Sequence, residues 1–323
     1  MAVRLFDWRD LPALLRYRNQ GLFFDQSLIL TRGTMLVPTG ALFSYFAPAT
    51  GIFTYLCTDD CSPGKPLIGQ AMHNAGSSHA RLSFLAPEDA LNPTGLSTLL
   101  EHMFTQIGAR GAMHLLAEVD EQLSVFEILR QTSFAIYARQ RIWKLSGELE
   151  GEGKPTPWRG IANRDIIPVR SLYNNLVPGL VQQVEQPPNN QLKGIVYKEG
   201  GNLLAYLEIK YGARGIWVQP FVHPEVKDIT ARLMDLFQNF PHRRSRPFYI
   251  CVRSYQSWLE TPISELGAQA SPLQSVMVKH LAVTKKVAQS LALRNLETGQ
   301  PEITTPIART ESNKITYDPT SNN

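Results

Sequence analysis

Cysteine is scarce in this sequence: the 323 residues contain only Cys57, Cys61 and Cys251. An odd number of cysteines spread over two regions does not suggest a disulfide framework, and it fits a reducing cytosol. Long apolar runs are lacking too, since none approaches the roughly 18 residues of a membrane span. The first ten residues, MAVRLFDWRD, carry charges where a signal peptide is apolar. We therefore expect a soluble cytoplasmic protein with no membrane partner.

Clear metal and nucleic-acid motifs are also missing. Cys57 and Cys61 precede two histidines, His73 and His79. Their spacing is irregular for zinc ligands, so no metal is expected. The densest basic cluster, residues 242–246, has no aromatic platform or reading motif beside it. We interpret this cluster as a solvated loop, with a phosphate or partner contact as the alternative, and we expect no nucleic-acid partner.

Positive charge is concentrated in the second half of the chain. Residues 158–287 carry 16 Lys and Arg against 9 Asp and Glu, whereas residues 1–157 carry 13 against 15. A basic excess favours association with an anionic ligand, such as a cofactor that bears a nucleotide.

The length of the chain indicates two domains. With 43% hydrophobic composition, 323 residues are too many for one ordinary core and suit two domains of about 130 to 150 residues. Residues 147–157 are polar, rich in glycine and closed by two prolines, which is typical of a linker. Residues 288–323 show little periodicity and are predicted to be a disordered tail. We therefore predict domains at 1–146 and 158–287.

The two halves share short motifs in the same order. The tripeptide RDL at 9–11 corresponds to RDI at 164–166, which lies 155 residues later. In both, the aspartate is predicted to be the N-cap of the following helix. In the middle of each half, LAPE at 85–88 corresponds to VHPE at 222–225, and each follows a strand-like run. The chain is therefore predicted to repeat one plan.

Each half shows the same order of predicted elements. A strand, a helix and a second strand make a βαβ unit, so the two strands should be parallel. Hairpin-like strands precede each unit, and a helix and a final strand follow it. The predicted strands are 41–45, 52–57, 67–73, 81–84, 113–117, 136–145, 193–197, 203–210, 215–221, 248–252 and 275–283. The predicted helices include 96–107, 123–130, 229–240 and 257–266. We therefore predict an α/β (α+β) fold with two mixed, mainly antiparallel sheets, each splaying at one parallel βαβ crossing.

This plan resembles the GNAT (GCN5-related N-acetyltransferase) superfamily, repeated in tandem. In that family a loop of the form Val-x-Pro-Glu-x-Arg-Gly-x-Gly-x-Gly/Ala binds the pyrophosphate of the acyl-CoA at a helix N-terminus. The sequence VHPEVKDIT at 222–230 keeps the valine, proline, glutamate and a cation, but has no glycines. The residues that the resemblance implies for cofactor binding are Val222, His223, Lys227, Asp228, Ile229 and Thr230.

The first half departs further from the family motif. Its loop at 85–95, LAPEDALNPTG, has no cation and an extra proline, which removes an amide donor. Glu88 and Asp89 in this loop would repel a pyrophosphate. The family often has a tyrosine that protonates the leaving thiolate, and Leu129 and Ile263 stand at that position in the two halves. Both acetyl-CoA motifs are therefore degenerate.

The resemblance implies an acyl-CoA-dependent N-acyltransferase, which would use acetyl-CoA or another acyl-CoA and a small-molecule or peptide amine. Glu118, directly after the second strand of the first parallel pair, and Glu208, on an antiparallel strand, are candidate general bases for the amine. Both could instead be strand-end charges. The degenerate motifs leave a second hypothesis open. It is a non-catalytic GNAT-like protein that binds a ligand or a protein in the cleft between the copies.

Overall fold

A computed structural model describes residues 3–47, 51–58, 65–147, 156–185, 187, 192–240 and 243–281. They belong to the first of the two units into which the chain divides, Met1–Thr284. The predicted linker is described only at 147, 156 and 157, and the predicted tail at 288–323 lies outside the described residues. Both segments, and the domain boundaries at 146 and 158, stay predictions.

The helices and strands of the described residues follow the predicted order twice. Those of the first half are β1 (Val3–Leu5), α1 (Leu11–Tyr17), β2 (Leu22–Phe23), α2 (Gln26–Arg32), α3 (Leu36–Phe46), β3 (Ile52–Cys57), β4 (Leu67–His73), β5 (His79–Ala86), α4 (Pro93–Gly108), β6 (His114–Asp120), α5 (Ser124–Gln131) and β7 (Ala135–Leu145). Those of the second half are β8 (Trp158–Gly160), α6 (Ile166–Leu176), α7 (Gly179–Val184), β9 (Gly194–Glu199), β10 (Asn202–Tyr211), β11 (Ile216–Val222), α8 (Ile229–Gln238), β12 (Phe248–Arg253), α9 (Glu260–Glu265), β13 (Gln269–Ala270) and β14 (Gln274–His280).

Equivalent ion pairs lie just before helix α1 of the first half and helix α6 of the second. Arg4 in β1 makes two hydrogen bonds of 2.6 Å to the Asp10 carboxylate, and Arg159 in β8 makes two of 2.8 Å to Asp165. The two pairs lie 155 residues apart, as the sequence motifs do. Asp10 and Asp165 stand at the predicted N-caps of α1 and α6, but neither side chain caps its helix. Each carboxylate binds its arginine instead, which ties the helix start to the edge strand.

One mixed sheet runs through both halves, in the order β1-β3-β4-β5-β6-β14-β7-β12-β11-β10-β9-β8. β2 pairs with β5, and β13 pairs with β7. The final strands of the two halves have exchanged places. β7 pairs with β12 of the second half, and β14 lies between β6 and β7 of the first. Each half is therefore completed by a strand of the other.

Each half has one pair of parallel strands that separates after three residues. β5 and β6 pair over 79–81 and 114–116, and β11 and β12 pair over 216–218 and 248–250. Helices α4 and α8 make the crossings. Beyond the paired residues the strands diverge toward their carboxyl ends. We call the resulting gaps the first wedge, between β5 and β6, and the second wedge, between β11 and β12. The predicted mixed, mainly antiparallel fold with one parallel crossing in each half is confirmed, but the two predicted sheets are joined into one, because the final strands are exchanged.

The prediction of a strand at 41–45 is wrong, because these residues lie in helix α3. Val37 and Ala41, four residues apart, are buried, whereas Phe43 and Phe46 are exposed. A short apolar run cannot be assigned to a strand or a helix from its periodicity. The burial of one helical face here excludes a strand.

The cysteines also differ from the expectation. Cys57, the last residue of β3, is disulfide-bonded, which the cysteine count did not predict. Cys251 in β12 carries a free, buried thiol, and burial raises its pKa to about 12. This thiol is neutral at physiological pH and is not a nucleophile.

Candidate functional site

The first wedge is filled by the backbone of the chain itself. β2 pairs antiparallel with the end of β5. Phe24 then donates its N–H to the carbonyl of Ser83 at 3.1 Å and accepts the N–H of Glu118, on β6, at 2.9 Å. Residues 22–26, which we call the bridging segment, thus join the two diverging strands by main-chain hydrogen bonds. No backbone donor of Phe24 or Glu118 is left for a ligand.

Gly21 allows the bridging segment to lie this close to β5. A Cβ at this position would be 2.7 Å from the carbonyl oxygen of Leu85 and 2.4 Å from Cε2 of Phe84. Heavy atoms do not approach so closely, and a backbone oxygen cannot rotate away. Glycine is therefore required sterically, although its backbone is not in a left-handed conformation.

The predicted base Glu118 lies in the first wedge and is bound by its neighbours. Its Oε2 accepts a hydrogen bond of 2.9 Å from the N–H of Gln26, and its Oε1 accepts one of 3.3 Å from Nη1 of Arg81. The carboxylate is only 3% exposed. Burial raises the pKa of Glu118, against the attraction of Arg81. In this arrangement Glu118 anchors the bridging segment, and its role as a general base stays a prediction.

The second wedge is occupied by one side chain. Gln256, in the turn after β12, is 1% exposed. Its Oε1 accepts the N–H of Val222 at 2.9 Å, and its Nε2 donates to the carbonyl of Pro220 at 2.9 Å. The amide group of Gln256 thus bonds the end of β11 as a neighbouring strand would. No sequence pattern pointed to this residue, because a single glutamine forms no motif.

The residues predicted to bind the cofactor form one loop at the start of α8. Asp228 is in a left-handed conformation (φ 52°), and its side chain does not cap the helix. Nδ1 of His223 accepts the N–H of Glu225 at 3.3 Å. Thr230 donates its hydroxyl to Oε2 of Glu265 on α9 at 2.8 Å. The carboxylate of Glu265 thus lies at the helix end where the family resemblance implied a pyrophosphate. A carboxylate and a pyrophosphate are both negative and repel each other.

The other predicted chemical groups lie apart from each other. Glu208 is on β10, 3.6 Å from Lys210, and lies opposite Gln219 of β11. Leu129 and Ile263, at the positions where the family has a tyrosine, are buried core residues. The structure does not bring Glu118 and Glu208 into one site.

A buried ion pair of the second half, near the carboxyl end of β12, also receives a hydrogen bond from the first half. Nη2 of Arg253 donates to Oε1 of Glu185 at 2.6 Å, and the hydroxyl of Tyr137 donates to the same oxygen. Burial tends to raise the pKa of Glu185, but Arg253 and Arg81 outweigh it and the pKa is lowered. The sequence analysis missed this cluster, since its members are far apart along the chain.

A cavity of about 810 Å³ lies between the halves. One wall is helix α2 of the first half, and the others are β8, β9, β10 and α8 of the second. Cavities of about 300 to 1,000 Å³ are typical of small-molecule sites. This cavity is separate from both wedges, since it shares no residue with the hydrogen bonds that fill them.

Two further findings bear on function. Within the described part of the chain, no group of three or more His, Cys, Asp or Glu side chains could hold a metal ion. No helix there is both long and apolar enough to span a bilayer.

Comparison with known proteins finds similarity in structure only. No family model and no curated protein matches the sequence. A GCN5-related N-acetyltransferase from Sphaerobacter thermophilus is similar with a TM-score of 0.54 and 11% identity, over 86% of this chain and 95% of that one. A protein from Pyrococcus horikoshii that is assigned as an acetyltransferase is similar with a TM-score of 0.50 and 11% identity, over 88% and 91%. The chain therefore has the tandem GNAT fold that its sequence resemblance predicted.

Proposed function

We propose that this protein is a non-catalytic GNAT-fold protein that binds a small molecule in the cavity between its two halves. One observation carries the proposal. Both wedges, where the fold would expose strand amides to an acyl-CoA, are filled by the chain's own groups, while the cavity is open. Function resides in sites and not in folds, so a GNAT fold with filled wedges need not transfer acyl groups.

The first wedge supports the proposal most directly. A ligand on β5 would have to displace the bridging segment and break its main-chain hydrogen bonds to Ser83 and Glu118. Leaving such buried groups unpaired costs about 1–3 kcal/mol each. The ligand would also break the hydrogen bond from the N–H of Gln26 to Glu118. Glu118, which is only 3% exposed, would then lose a partner of its buried carboxylate.

A second candidate is an acyl-CoA-dependent N-acyltransferase in the second half, with a small-molecule or peptide amine as acceptor. The observation that favours it is that the end of β11 is bonded by a side chain, Gln256, and a side chain moves more easily than a strand. Lys227 is exposed at the start of α8, beside the amides of residues 228–230. In this candidate Lys227 and these amides hold the pyrophosphate.

Thermal unfolding with acetyl-CoA and with CoA separates the two candidates. A ligand that binds only the folded state raises the melting temperature. At 100 times its Kd, the ligand adds about 2.7 kcal/mol to the free energy of unfolding. We expect no shift at about 1 mM of either compound. A shift that Lys227→Glu abolishes, and that the control Lys144→Glu keeps, would contradict the proposal and support the acyltransferase. Lys144 is an exposed cation on β7, far along the chain from α8.

A further inference from the structure

The cavity between the halves has an apolar floor. Trp158, Ile195, Ile209 and Leu236 line it and are all at least 92% buried. They belong to the core that packs β8, β9 and β10 against α8. The indole nitrogen of Trp158 already donates to the carbonyl of Arg232 at 2.8 Å. The floor therefore offers a ligand apolar surface and needs no polar partner of its own.

Helix α2 closes the cavity from the other side, and close backbone contacts hold it there. Arg214 donates its N–H to the carbonyl of Thr31 at 2.9 Å. A Cβ on Gly212 would lie 2.3 Å from the same carbonyl oxygen, so only glycine permits this approach. The wall that carries Ser27 and Leu28 is thus fixed to the turn between β10 and β11. A preformed wall reduces the ordering cost of binding.

The described charges at the cavity are all of one sign. Of the described residues that line it, four are cations and none is an aspartate or a glutamate; the cations are Arg32, Arg159, Lys193 and Lys210. Arg159 is bound by Asp165, and Lys210 lies 3.6 Å from Glu208. Arg32 and Lys193 make no ion pair with any described residue. Arg246 borders an adjoining depression that also includes Arg32, and the described residues of that depression include no carboxylate.

We propose that the cavity binds an amphipathic anion, with an apolar body on the floor and a carboxylate or phosphate head facing Arg32 and Lys193. The proposal rests on the proposed function, since it names the class of ligand for the same cavity. The basic excess of residues 158–287 supports an anionic ligand. A mainly apolar lining with a few charged groups is the usual composition of a site for such a molecule.

Four eight-carbon probes test the ligand class: octanoate, octyl phosphate, octanol and octylamine. By isothermal calorimetry at low salt, we expect octanoate and octyl phosphate to bind at least about tenfold more tightly than octanol, and octylamine not to bind. Added salt should weaken the two anions and leave octanol unchanged, because salt screens exposed charges. Stronger binding of octyl phosphate than of octanoate would identify the head as phosphate. Equal binding of octanol, or no binding of either anion at a few millimolar, would overturn the ligand class.

Two variants test the site. Lys193→Glu should weaken octanoate or octyl phosphate binding about tenfold or more, which is at least about 1.4 kcal/mol. Lys144→Glu, at an exposed cation outside the cavity, is the matched control and should bind as the wild type does. Leu28→Trp should fill part of the cavity and weaken all bound probes, octanol included. Unchanged affinities in Lys193→Glu and Leu28→Trp would overturn the site.

Failure of this inference is distinguishable from failure of the proposed function. Acetyl-CoA binding that depends on Lys227 would refute the non-catalytic proposal without changing the octanoate result. Should Lys193→Glu fold poorly, Arg32→Gln removes a cation on the exposed end of α2 without reversing its charge. It should weaken the anions and leave octanol unchanged, and equal anion affinity in a folded Arg32→Gln would contradict the proposal.

Discussion

Oε1 of Gln256 accepts the backbone N–H of Val222 at 2.9 Å, so the last amide of β11 is already bonded at the mouth of the second wedge. The family resemblance implied that Val222 binds the acyl-CoA. Gln256 is 1% exposed, and a buried amide side chain with both ends bonded is a stable substitute for a strand or a ligand. An acyl-CoA that is to bind the N–H of Val222 must therefore first displace the side chain of Gln256.

Removing the side chain of Gln256 should destabilise the protein. Gln256→Ala leaves the N–H of Val222 and the carbonyl of Pro220 unpaired at a buried position, so we expect a loss of about 1–3 kcal/mol in the free energy of unfolding. Urea denaturation measures it. Gln122→Ala, at an exposed position, is the control and should change stability by less than about 0.5 kcal/mol. Equal stability of the two variants would show that Gln256 does not close the wedge.

Gly21→Ala should loosen the bridging segment. Its Cβ would meet the carbonyl oxygen of Leu85 at 2.7 Å, so the segment must move away from β5. We expect destabilisation by about 1–3 kcal/mol, as for other overpacked sites, and faster amide hydrogen exchange at Phe24. Gly108→Ala is the matched control, since a Cβ there meets nothing within 4 Å. It should be neutral or slightly stabilising. Unchanged exchange at Phe24 in Gly21→Ala would contradict the steric argument.

Asp165 should contribute stability that is lost in acid. Hydrogen bonds from Arg159, outweighing burial, and from Lys198 lower the pKa of Asp165. Its contribution is therefore present above the unfolded pKa of about 3.9 and disappears as the pH falls through that value toward the folded pKa. Asp165→Asn should cost about 1–3 kcal/mol at neutral pH, because Arg159 and Lys198 are partly solvated and the full cost of a buried pair does not apply.

The control for Asp165 is Asp89→Asn, whose carboxylate is 63% exposed beside Lys65. Surface pairs contribute little, so Asp89→Asn should change the free energy of unfolding at neutral pH by less than about 1 kcal/mol. A constant difference between wild type and Asp165→Asn from pH 7 to about pH 2 would exclude the carboxylate as the source.

The titration of His79 should make the free energy of unfolding depend on pH in a range above that of Asp165. Burial, with Arg81 adding to it, lowers the pKa of His79 to about 4. Its Nδ1 has no hydrogen-bond partner among the described residues. Between about pH 6.5 and 4 the unfolded chain binds a proton that the folded chain does not, so stability falls as the pH falls. The loss is at most about 3.5 kcal/mol, since one pKa unit corresponds to about 1.4 kcal/mol.

His79→Gln removes this titration, so its free energy of unfolding should vary less between pH 6.5 and 4 than that of the wild type. Chemical denaturation at a series of pH values measures it. Gln122→Ala, which replaces an exposed side chain that does not titrate, serves as the comparison and should keep the wild-type profile. The same slope in wild type and His79→Gln would contradict the prediction.

Local patterns predicted the repeat and the crossings well. RDL and RDI did mark equivalent positions, because an aspartate beside a helix start and an arginine on the preceding strand depend on neighbouring residues only. The strand at 41–45 failed for a local reason as well, since its five apolar and small residues fit a helix equally. The predicted cofactor residues did form one loop, but their ligand stays a prediction.

The sequence by itself determined the repeated order of strands and helices, the two diverging parallel pairs and the basic character of the second half, because these follow from periodicity and composition. Tertiary structure alone decided that β7 and β14 exchange places, that residues 22–26 and Gln256 fill the wedges, and that α2 closes a cationic cavity. Each of these joins residues that are distant along the chain, such as Gln26 and Glu118, 92 residues apart. Their contacts form only when the sheet brings them together, and no local pattern records them.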